Sequence, residues 1–244
     1  MGDIPDSLTE ALTAVRTAGR PALEAGAGAG NATAALRAGD ATPVYPVTDD
    51  HDHATGVGER FTDDSAVHPL EANLRAVPLP DDTVEVVTAH GLFNLVPTTD
   101  TTGIVAELTR VTASGGEIVV DDYGPVHETT RALFGAGNAV SELLEGEPTY
   151  TCYPAAHLRS LFEAHGWRHV ETRSLLEPVP WTAALLDAHA EAATDRTDTL
   201  SDPLGTAVRE HVEEVRGRLG TGSETGRMYS VRLELRGGKR GEQS

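Results

Sequence analysis

The sequence of 244 residues predicts an α/β fold with a mainly parallel β-sheet. Short apolar runs with strand character alternate with helical patterns through the first half of the chain, which is typical of β-α-β units. The clearest pair is a buried-strand run at residues 84–89 and a helix at 101–111. Within this helix, Ile104, Val105 and Leu108 recur on one face. A chain of this length is sufficient for one large domain with a substantial core.

The other elements of the first half are shorter. Ser7 and Glu10 have the spacing of a helix capping box, which places a first helix at residues 6–18. Two prolines favour a sheet-edge or irregular strand at 42–48. Residues 49–71, by contrast, are polar and show no convincing period. The remaining predicted elements are an apolar run at 21–25, a helix at 31–37 and a strand at 117–120.

The second half of the chain has a different pattern. Residues 228–236 alternate apolar and polar side chains, which predicts a strand with one buried face. Residues 181–219 are mostly helical in pattern, with an interruption near 197–203. The other predicted elements are a helix at 155–165, a strand at 169–176 and a disordered tail at 237–244.

The charge composition restricts the partners of this protein. The chain has 38 Asp and Glu residues against 19 Lys and Arg, for a formal net charge of −19, and Lys239 is its only lysine. Because such a surface repels polyanions, we expect no nucleic-acid partner and no binding to anionic membranes. An acidic, lysine-poor, alanine- and threonine-rich composition is typical of proteins that stay soluble in concentrated salt, so we expect a salt-adapted, halophilic source.

The sequence also indicates a compartment. Cys152 is the only cysteine, which excludes an internal disulfide and a thiolate zinc cluster. The N-terminal stretch is acidic and polar and lacks the basic and apolar regions of a secretion signal. No apolar run approaches the length of a membrane span. We therefore expect a cytoplasmic protein that does not insert into membranes. The oligomeric state cannot be read from the sequence.

A glycine-rich loop follows the first predicted strand and precedes a helix. Such a loop brings backbone N–H groups close to a ligand, because glycine lacks the Cβ atom that would block the approach. A P-loop would need a lysine at the helix start, and none is present there. A dinucleotide fingerprint starting at Gly26 fails at Asn31, and one starting at Gly28 fails at Thr33. The pattern that does match is [Asp/Glu]-x-G-x-G-x-G at residues 24–30, with an Ala/Gly-rich turn that binds nothing as the alternative.

Three motifs in the same order resemble those of class I S-adenosylmethionine-dependent methyltransferases. They are RPALEAGAGAGNAT, AVPLPDDTVEVV and ELTRVTASGGEIVVDDY. Within this class the chain is similar to the ubiquinone/menaquinone C-methyltransferases. The resemblance covers residues 20–123 well, and EAHGWRHVETRSLL is a weaker match to the sixth-strand region. It implies a Rossmann-like sheet that is mainly parallel with an antiparallel final strand, helices on both faces, and S-adenosylmethionine as the cofactor.

The resemblance also implies the cofactor-binding residues. Gly26, Gly28 and Gly30 would pack under the methionine part of the cofactor, and Glu24 would face its ammonium group, directly or through water.

The nucleoside end of the cofactor falls on less regular positions. The family has an acidic residue at the end of the second strand for the ribose hydroxyls, but Thr48 stands there and Asp49 follows one residue later. Asn73 takes the place of the usual aspartate near the adenine amino group, where its side-chain oxygen would accept a hydrogen bond. Leu74 would offer its backbone N–H to the adenine ring. No match was found in residues 49–71 for the family's helix after the second strand.

Candidate residues for the methyl acceptor lie after the fourth and fifth strands. His90 is a candidate general base beside the position of the methyl group, with a helix-cap or solvated loop histidine as the alternative. Asp121 and Tyr123 are candidates for acceptor contact, with a solvated acidic turn as the alternative for the aspartate. Tyr153 would wall the acceptor pocket, or simply fill the core. No metal site is expected, since the His51 and His53 pair has no third ligand.

These observations lead to one leading function and two alternatives. The leading hypothesis is methyl transfer from S-adenosylmethionine to a small molecule by in-line displacement, on a single domain spanning residues 1–244. Residues 1–123 would bind the cofactor and residues 124–236 the acceptor, with a helical insertion at 181–219. One alternative is a methyltransferase-like binding or scaffold protein that has lost catalysis. The weaker alternative is a nucleotide-dependent oxidoreductase of the same sheet class.

Overall fold

A computed structural model of the chain describes residues 4–125, 128–194, 197–219, 223–224 and 226–237. Over these residues the strands are β1 (Ala22–Ala25), β2 (Val44–Thr48), β3 (Leu70–Glu71), β4 (Val84–His90), β5 (Thr112–Tyr123), β6 (Trp167–Leu176), β7 (Pro180–Trp181), β8 (Ser223–Glu224) and β9 (Met228–Leu235). The helices are α1 (Asp6–Leu12), α2 (Asn31–Ala38), α3 (His51–Arg60), α4 (Thr101–Val111), α5 (Glu128–Glu145), α6 (Ala155–Glu163), α7 (Ala183–Thr194) and α8 (Asp202–Leu219), with a short 3₁₀ turn at Thr197–Thr199.

Seven of these strands form one sheet in the order β3-β2-β1-β4-β5-β9-β6. The strand pairs from β3 to β5 are parallel, and β9 runs antiparallel to both of its neighbours. The chain passes from β1 outward to β3 and then returns to add β4 on the other side of β1. The carboxyl ends of β1 and β4 therefore flank the point where the strand order reverses, which is where open α/β sheets bind ligands.

Helices cover both faces of the sheet, as the sequence predicts. On one face, α1, α2, α5, α7 and α8 bury apolar side chains such as Leu36 and Leu133 against Val86 and Val119. On the other face, α4 and α6 pack side chains such as Leu108 against the strands. The sheet is thus the middle layer of a three-layer α/β structure, and its carboxyl edge stays open between the layers.

Most predicted elements are confirmed. Helix α4 has the predicted bounds, and β9 buries Tyr229, Val231 and Leu233 on one face. The interruption of the helical segment falls at the 3₁₀ turn between α7 and α8. Beyond β2 the sheet continues only with the two-residue strand β3, so β2 lies near the edge of the sheet, in agreement with the prediction of a sheet-edge or irregular strand. All but the first residue of the predicted tail lies outside the described residues.

Two local predictions are wrong. Helix α1 ends at Leu12, earlier than predicted. Its N-cap is Pro5, whose carbonyl accepts from the first amides of the helix, and no side chain caps this end, so the predicted capping box is not formed. Residues 49–71 contain helix α3, which the sequence pattern did not predict. This helix includes two glycines and buries only Val57, so it shows little apolar period. It begins because the Asp50 carboxylate accepts a hydrogen bond from the His53 amide at 2.8 Å.

Among the described residues, no helix is both long enough and apolar enough to cross a lipid bilayer.

Candidate active site

A cavity of about 370 Å³ lies at the carboxyl edge of the sheet, where the strand order reverses. The glycine loop after β1 forms one wall, the ends of β2 and β3 form the second, and the loop from β4 to α4 forms the third. Its lining includes Gly26, Gly28, Asp49, Asn73, Leu74 and His90. The structure thus brings six of the eight residues predicted for cofactor binding or catalysis to one cavity, and the other two, Glu24 and Gly30, lie behind its glycine wall.

The glycine wall depends on two glycines with different roles. Gly26 has a φ of +77° and its amide donates to the Val47 carbonyl at 3.0 Å, so this residue turns the chain sharply at the end of β1. A Cβ atom on Gly26 would lie 2.7 Å from Leu92 Cδ1. A Cβ atom on Gly28 would meet nothing within 4 Å, since Gly28 faces open space. The surface at Gly28 is therefore the place where a ligand can approach the backbone.

Gly30 supports the loop from behind. It is the N-cap of α2 with a φ of +72°, in the left-handed region where glycine is favoured. A Cβ atom there would come within 3.1 Å of Phe61 and 3.2 Å of Val57. Gly30 therefore serves the close packing of the α2 start against α3, and it does not line the cavity.

Glu24 is buried beneath the loop, with 3% of its surface exposed. One carboxylate oxygen accepts a hydrogen bond from the Ala32 amide at 3.2 Å. The other accepts from the Thr33 amide at 2.8 Å and from the Thr33 hydroxyl at 2.5 Å. Burial raises the pKa of this carboxyl, and the bonds from Thr33 oppose the rise. Glu24 thus stabilises the first turn of α2 and does not line the cavity, so a contact with a ligand ammonium stays a prediction.

The second wall carries the residues predicted for ribose and adenine. Asp49 lines the cavity directly after β2, and Thr48 is buried with its hydroxyl accepting from the Asp50 amide at 3.2 Å. The Asn73 amide nitrogen lies 3.5 Å from an Asp49 oxygen. The Asn73 side-chain oxygen already accepts from Arg75 through its amide, at 2.9 Å, and its Nε, at 3.2 Å. Asn73 could therefore bind a ligand amino group only by sharing this oxygen with Arg75.

His90 and Asp121 form a hydrogen-bonded pair at the end of the sheet. The two residues are register partners on β4 and β5, and His90 Nδ1 lies against Asp121 Oδ2. His90 keeps 26% of its side chain exposed and lines the cavity, whereas Asp121 is fully buried. Burial disfavours the imidazolium, but the hydrogen bond and the charge of Asp121 outweigh it, so the pKa of His90 is raised.

A pair of this kind directs the chemistry of the imidazole. Asp121 holds Nδ1 as the hydrogen-bond donor, and this tautomer presents Nε2 as the basic nitrogen. The helix-cap alternative for His90 is wrong, because its described partner is a buried carboxylate on the neighbouring strand. The alternative of a solvated acidic turn for Asp121 is also wrong, because the Asp121 side chain is fully buried.

Asp122 points to the opposite face of the sheet and is also fully buried. Burial and the nearby charge of Asp121 raise the pKa of Asp122 well above its usual range. Its Oδ1 accepts from the Asn94 amide at 3.4 Å, and its Oδ2 has no partner among the described residues. Burial in the core therefore favours the neutral form of the Asp122 carboxyl.

A second cavity of about 560 Å³ lies between α5 and residues 150–152. Its walls include Phe134 and Tyr150, whose rings pack with centroids 5.6 Å apart, together with Cys152. Burial raises the pKa of the Cys152 thiol to about 11, so this thiol is neutral and contributes packing. The side chain of Tyr123 is half-buried and lies close enough to Asp121 and Cys152 for both to raise its pKa, after burial itself. Tyr123 is not in the lining of either cavity, so its contact with an acceptor stays a prediction.

Tyr153 has a core position. Its hydroxyl donates to Thr98 Oγ1 at 3.1 Å, and its ring stacks on His157 with centroids 4.7 Å apart. Its carbonyl accepts from the Tyr229 hydroxyl at 2.8 Å. Neither cavity is lined by Tyr153. The core alternative describes this residue better than acceptor contact.

Two asparagines join these parts and were missed in the sequence. Asn94 is buried in the loop between β4 and α4, and its amide nitrogen donates to the carbonyls of Tyr123 and Thr151 at 3.0 and 2.9 Å. Asn138 on α5 makes a similar pair of bonds with the backbone of Tyr150. A lone asparagine in a polar or helical stretch carries no signal of such long-range bonding, so the sequence could not have identified either residue.

Over the ranges that the structure describes, no three His, Cys, Asp or Glu side chains are arranged to hold a metal ion. His51 instead bonds Glu71 at 2.9 Å, and His53 lines the first cavity from the first turn of α3.

The strand order with its antiparallel β9 defines the class of the protein. It is the Rossmann-like fold of class I methyltransferases, which confirms the predicted fold class. Residues 23–120 match a family model described as a methyltransferase domain. This match supports the predicted enzyme class, an S-adenosylmethionine-dependent methyltransferase, and with it the predicted cofactor. No curated protein sequence matches the chain.

Solved structures share the fold at low sequence identity. A provisionally assigned methyltransferase from Bacillus halodurans superposes with a TM-score of 0.68 at 15% identity, covering 96% of this chain and 100% of that one. The [4+2]-cyclase SpnF superposes with a TM-score of 0.65 at 17% identity, covering 96% of this chain and 81% of that one. A third structure is geranyl diphosphate C-methyltransferase from Streptomyces coelicolor, solved with Mg²⁺, geranyl diphosphate and S-adenosyl-L-homocysteine. It superposes with a TM-score of 0.59 at 14% identity, covering 93% of this chain and 76% of that one. At this identity the likeness concerns the fold alone.

Proposed function

We propose that this protein transfers a methyl group from S-adenosylmethionine to a small-molecule acceptor by in-line displacement. One observation carries the proposal: a single cavity is lined both by Gly28 and by His90, whose imidazole is oriented by the buried Asp121. The chain thus combines a place where a ligand can approach bare backbone with a positioned base in the lining of the same cavity.

The residues of the first cavity fit the proposed cofactor. Gly28 leaves the space that a Cβ atom would fill, Asp49 offers a carboxylate to ribose hydroxyls, and Leu74 with its apolar neighbours offers a surface for adenine. When bound, the cofactor supplies an electrophilic methyl group on a sulfonium. The residues of the chain position it and exclude water from it.

The His90 pair would prepare the acceptor. With Nδ1 bonded to Asp121, the neutral imidazole can accept a proton at Nε2 from an acceptor O–H or acidic C–H, and the carboxylate stabilises the imidazolium that forms. An amine acceptor that is already unprotonated would need less help. The pair therefore favours oxygen or carbon acids over amines. This deprotonation would become effective above the raised pKa of His90.

We assign the second cavity to the non-reacting part of the acceptor, whose reacting atom would extend to the His90 pair. This cavity is bounded by α5 and the segment at residues 150–152. Its aromatic walls favour a flat or apolar molecule. This assignment follows the predicted acceptor half at residues 124–236, within a single domain whose two halves share one sheet.

The scaffold alternative is motivated by Thr48, by Asn73 and by the missing helix after the second strand. The third of these reasons no longer holds, because α3 occupies the position of that helix. Calorimetric titration with S-adenosylhomocysteine in molar salt, followed by an assay of its formation from S-adenosylmethionine, separates the two functions. Phenols, enolisable ketones and amines would serve as acceptors, with His90→Ala as the matched variant. Binding with turnover of an oxygen or carbon acid supports the proposal. Binding without turnover of any acceptor would favour the scaffold. No binding at millimolar ligand would refute the methyltransferase proposal and leave the scaffold alternative.

We also infer a salt-adapted, cytoplasmic protein of the ubiquinone/menaquinone-methyltransferase type. Because 38 acidic side chains stand against 19 basic ones, the chain has a large excess of negative charge, and its carboxylates repel one another in dilute buffer. Molar potassium chloride screens this repulsion, so the unfolding temperature should rise steeply with salt. An unfolding temperature that does not depend on salt would contradict the adaptation.

A further inference from the structure

Asn94 is the residue through which the walls of the two cavities contact each other. It lies in the loop between β4 and α4, whose residues Leu92, Leu95 and Val96 line the first cavity. Asn94 itself is 7% exposed and does not line that cavity. Its side chain instead points away from the first cavity to the backbone of β5 and of the segment at 150–152.

Every polar atom of the Asn94 side chain is used in this connection. The amide nitrogen donates to the Tyr123 carbonyl at 3.0 Å and to the Thr151 carbonyl at 2.9 Å, and the side-chain oxygen accepts from the Tyr123 amide at 2.7 Å. The backbone carbonyl of Asn94 also accepts from the Thr151 amide at 3.0 Å. A buried amide with all of its hydrogen bonds satisfied has one orientation, so the three segments that it joins are held in one relative position.

We propose that Asn94 is a positioning residue that couples cofactor binding in the first cavity to the order of the acceptor wall at residues 150–152. A ligand that restricts the loop between β4 and α4 also restricts the groups bonded to Asn94. The wall of the second cavity is then held in place before the acceptor enters, which favours binding of the cofactor first. This inference rests on the proposed cofactor position.

Asn138 provides a matched control. Its amide nitrogen donates to the Tyr150 carbonyl at 2.9 Å, and its side-chain oxygen accepts from the Tyr150 amide at 2.6 Å. Asn138 therefore holds the same wall with the same type of bonds, but it does so from α5 and not from the loop that lines the first cavity. Loss of either asparagine should loosen the wall, and only loss of Asn94 should disconnect it from the cofactor.

Hydrogen exchange of the full-length protein, with and without saturating S-adenosylhomocysteine, tests the coupling. In the wild type, we expect bound ligand to slow exchange at the Thr151 amide by about 5-fold or more, the lower end of typical coupling between sites. In Asn94→Ala most of this response should disappear, whereas Asn138→Ala should keep it. Calorimetry must show saturation of each variant, and Asn94→Ser serves as a second variant if Asn94→Ala does not fold.

Two wild-type results separate the possible failures. Bound S-adenosylhomocysteine without slower exchange at Thr151 would overturn the coupling and leave the proposed function intact. A wild type that does not bind S-adenosylhomocysteine would overturn both. A folded Asn94 variant that keeps the full response would show that Asn94 is structural only.

Discussion

Gly28→Val should weaken cofactor binding without harming the fold. A Cβ atom on Gly28 meets nothing within 4 Å, and its φ lies outside the left-handed region, so the folded state has space for a side chain. Replacing glycine at such a position changes the free energy of unfolding little or raises it by about 0.4–1 kcal/mol, because the unfolded chain loses freedom. The valine side chain would instead occupy part of a cavity of about 370 Å³.

The expected loss of affinity follows from the cost of forcing extra atoms into a packed contact. That cost is about 1–3 kcal/mol, so the dissociation constant of S-adenosylhomocysteine should rise about 5- to 150-fold. Isothermal titration calorimetry measures the affinity, and urea unfolding measures the stability of the same variant. Binding of Gly28→Val at wild-type affinity would refute the position that we assign to the cofactor.

Gly30→Ala is the matched control two residues further along. Its φ of +72° makes an alanine cost roughly 1–2 kcal/mol, and the new Cβ would also press on Phe61 and Val57. For a chain of this size the unfolding temperature should fall by about 2–8 °C. Below that temperature the dissociation constant should stay near the wild-type value, since Gly30 does not line the cavity.

Three further predictions concern carboxylates and their partners. In a nuclear magnetic resonance titration, His90 should titrate above its ordinary pKa of about 6.5. Asp121→Asn should lower the pKa of His90, because burial is then opposed only by the smaller effect of the Glu24 charge; an unchanged midpoint would contradict the pairing. Asp49→Ala should weaken S-adenosylhomocysteine binding about 10-fold or more in calorimetry. By contrast, Asp50→Ala should lower the unfolding free energy by about 1 kcal/mol through loss of the α3 cap. If Asp50→Ala weakened ligand binding and Asp49→Ala lowered only stability, the assignment of Asp49 to the cofactor would be refuted. Thr33→Val removes the hydroxyl bond to the buried Glu24 carboxylate and should lower the free energy of unfolding in urea by about 1–3 kcal/mol. The control Thr9→Val removes an exposed hydroxyl bond and should not show this loss.

Strong local periodicity made much of the fold predictable. Helix α4 and strand β9 each bury a regular row of side chains, so their bounds follow from the pattern. Helix α3 was missed for the opposite reason. It buries only Val57 and contains two glycines. It is stabilised by the local Asp50 cap and by packing at Gly30, and only this packing depends on the tertiary structure.

The site was predictable in its location but not in its bonding. The glycine loop and His90 could be placed at the carboxyl edge of the sheet from motif order alone. The bond between His90 and Asp121 depends on the register of β4 and β5, which includes an irregularity between Val84 and Val86. The orientation of Glu24 towards the start of α2 and the bonds of Asn94 are likewise three-dimensional, and no spacing in the sequence encodes them.

A crystal structure with bound S-adenosylhomocysteine tests the central claim most directly. We predict ligand density along the glycine wall, with the homocysteine against Gly26 and Gly28, the ribose at Asp49 and the adenine at Leu74. The ligand sulfur should face the side of the cavity where His90 Nε2 is exposed. Density elsewhere, or a sulfur turned away from His90 with another group beside it, would contradict the account.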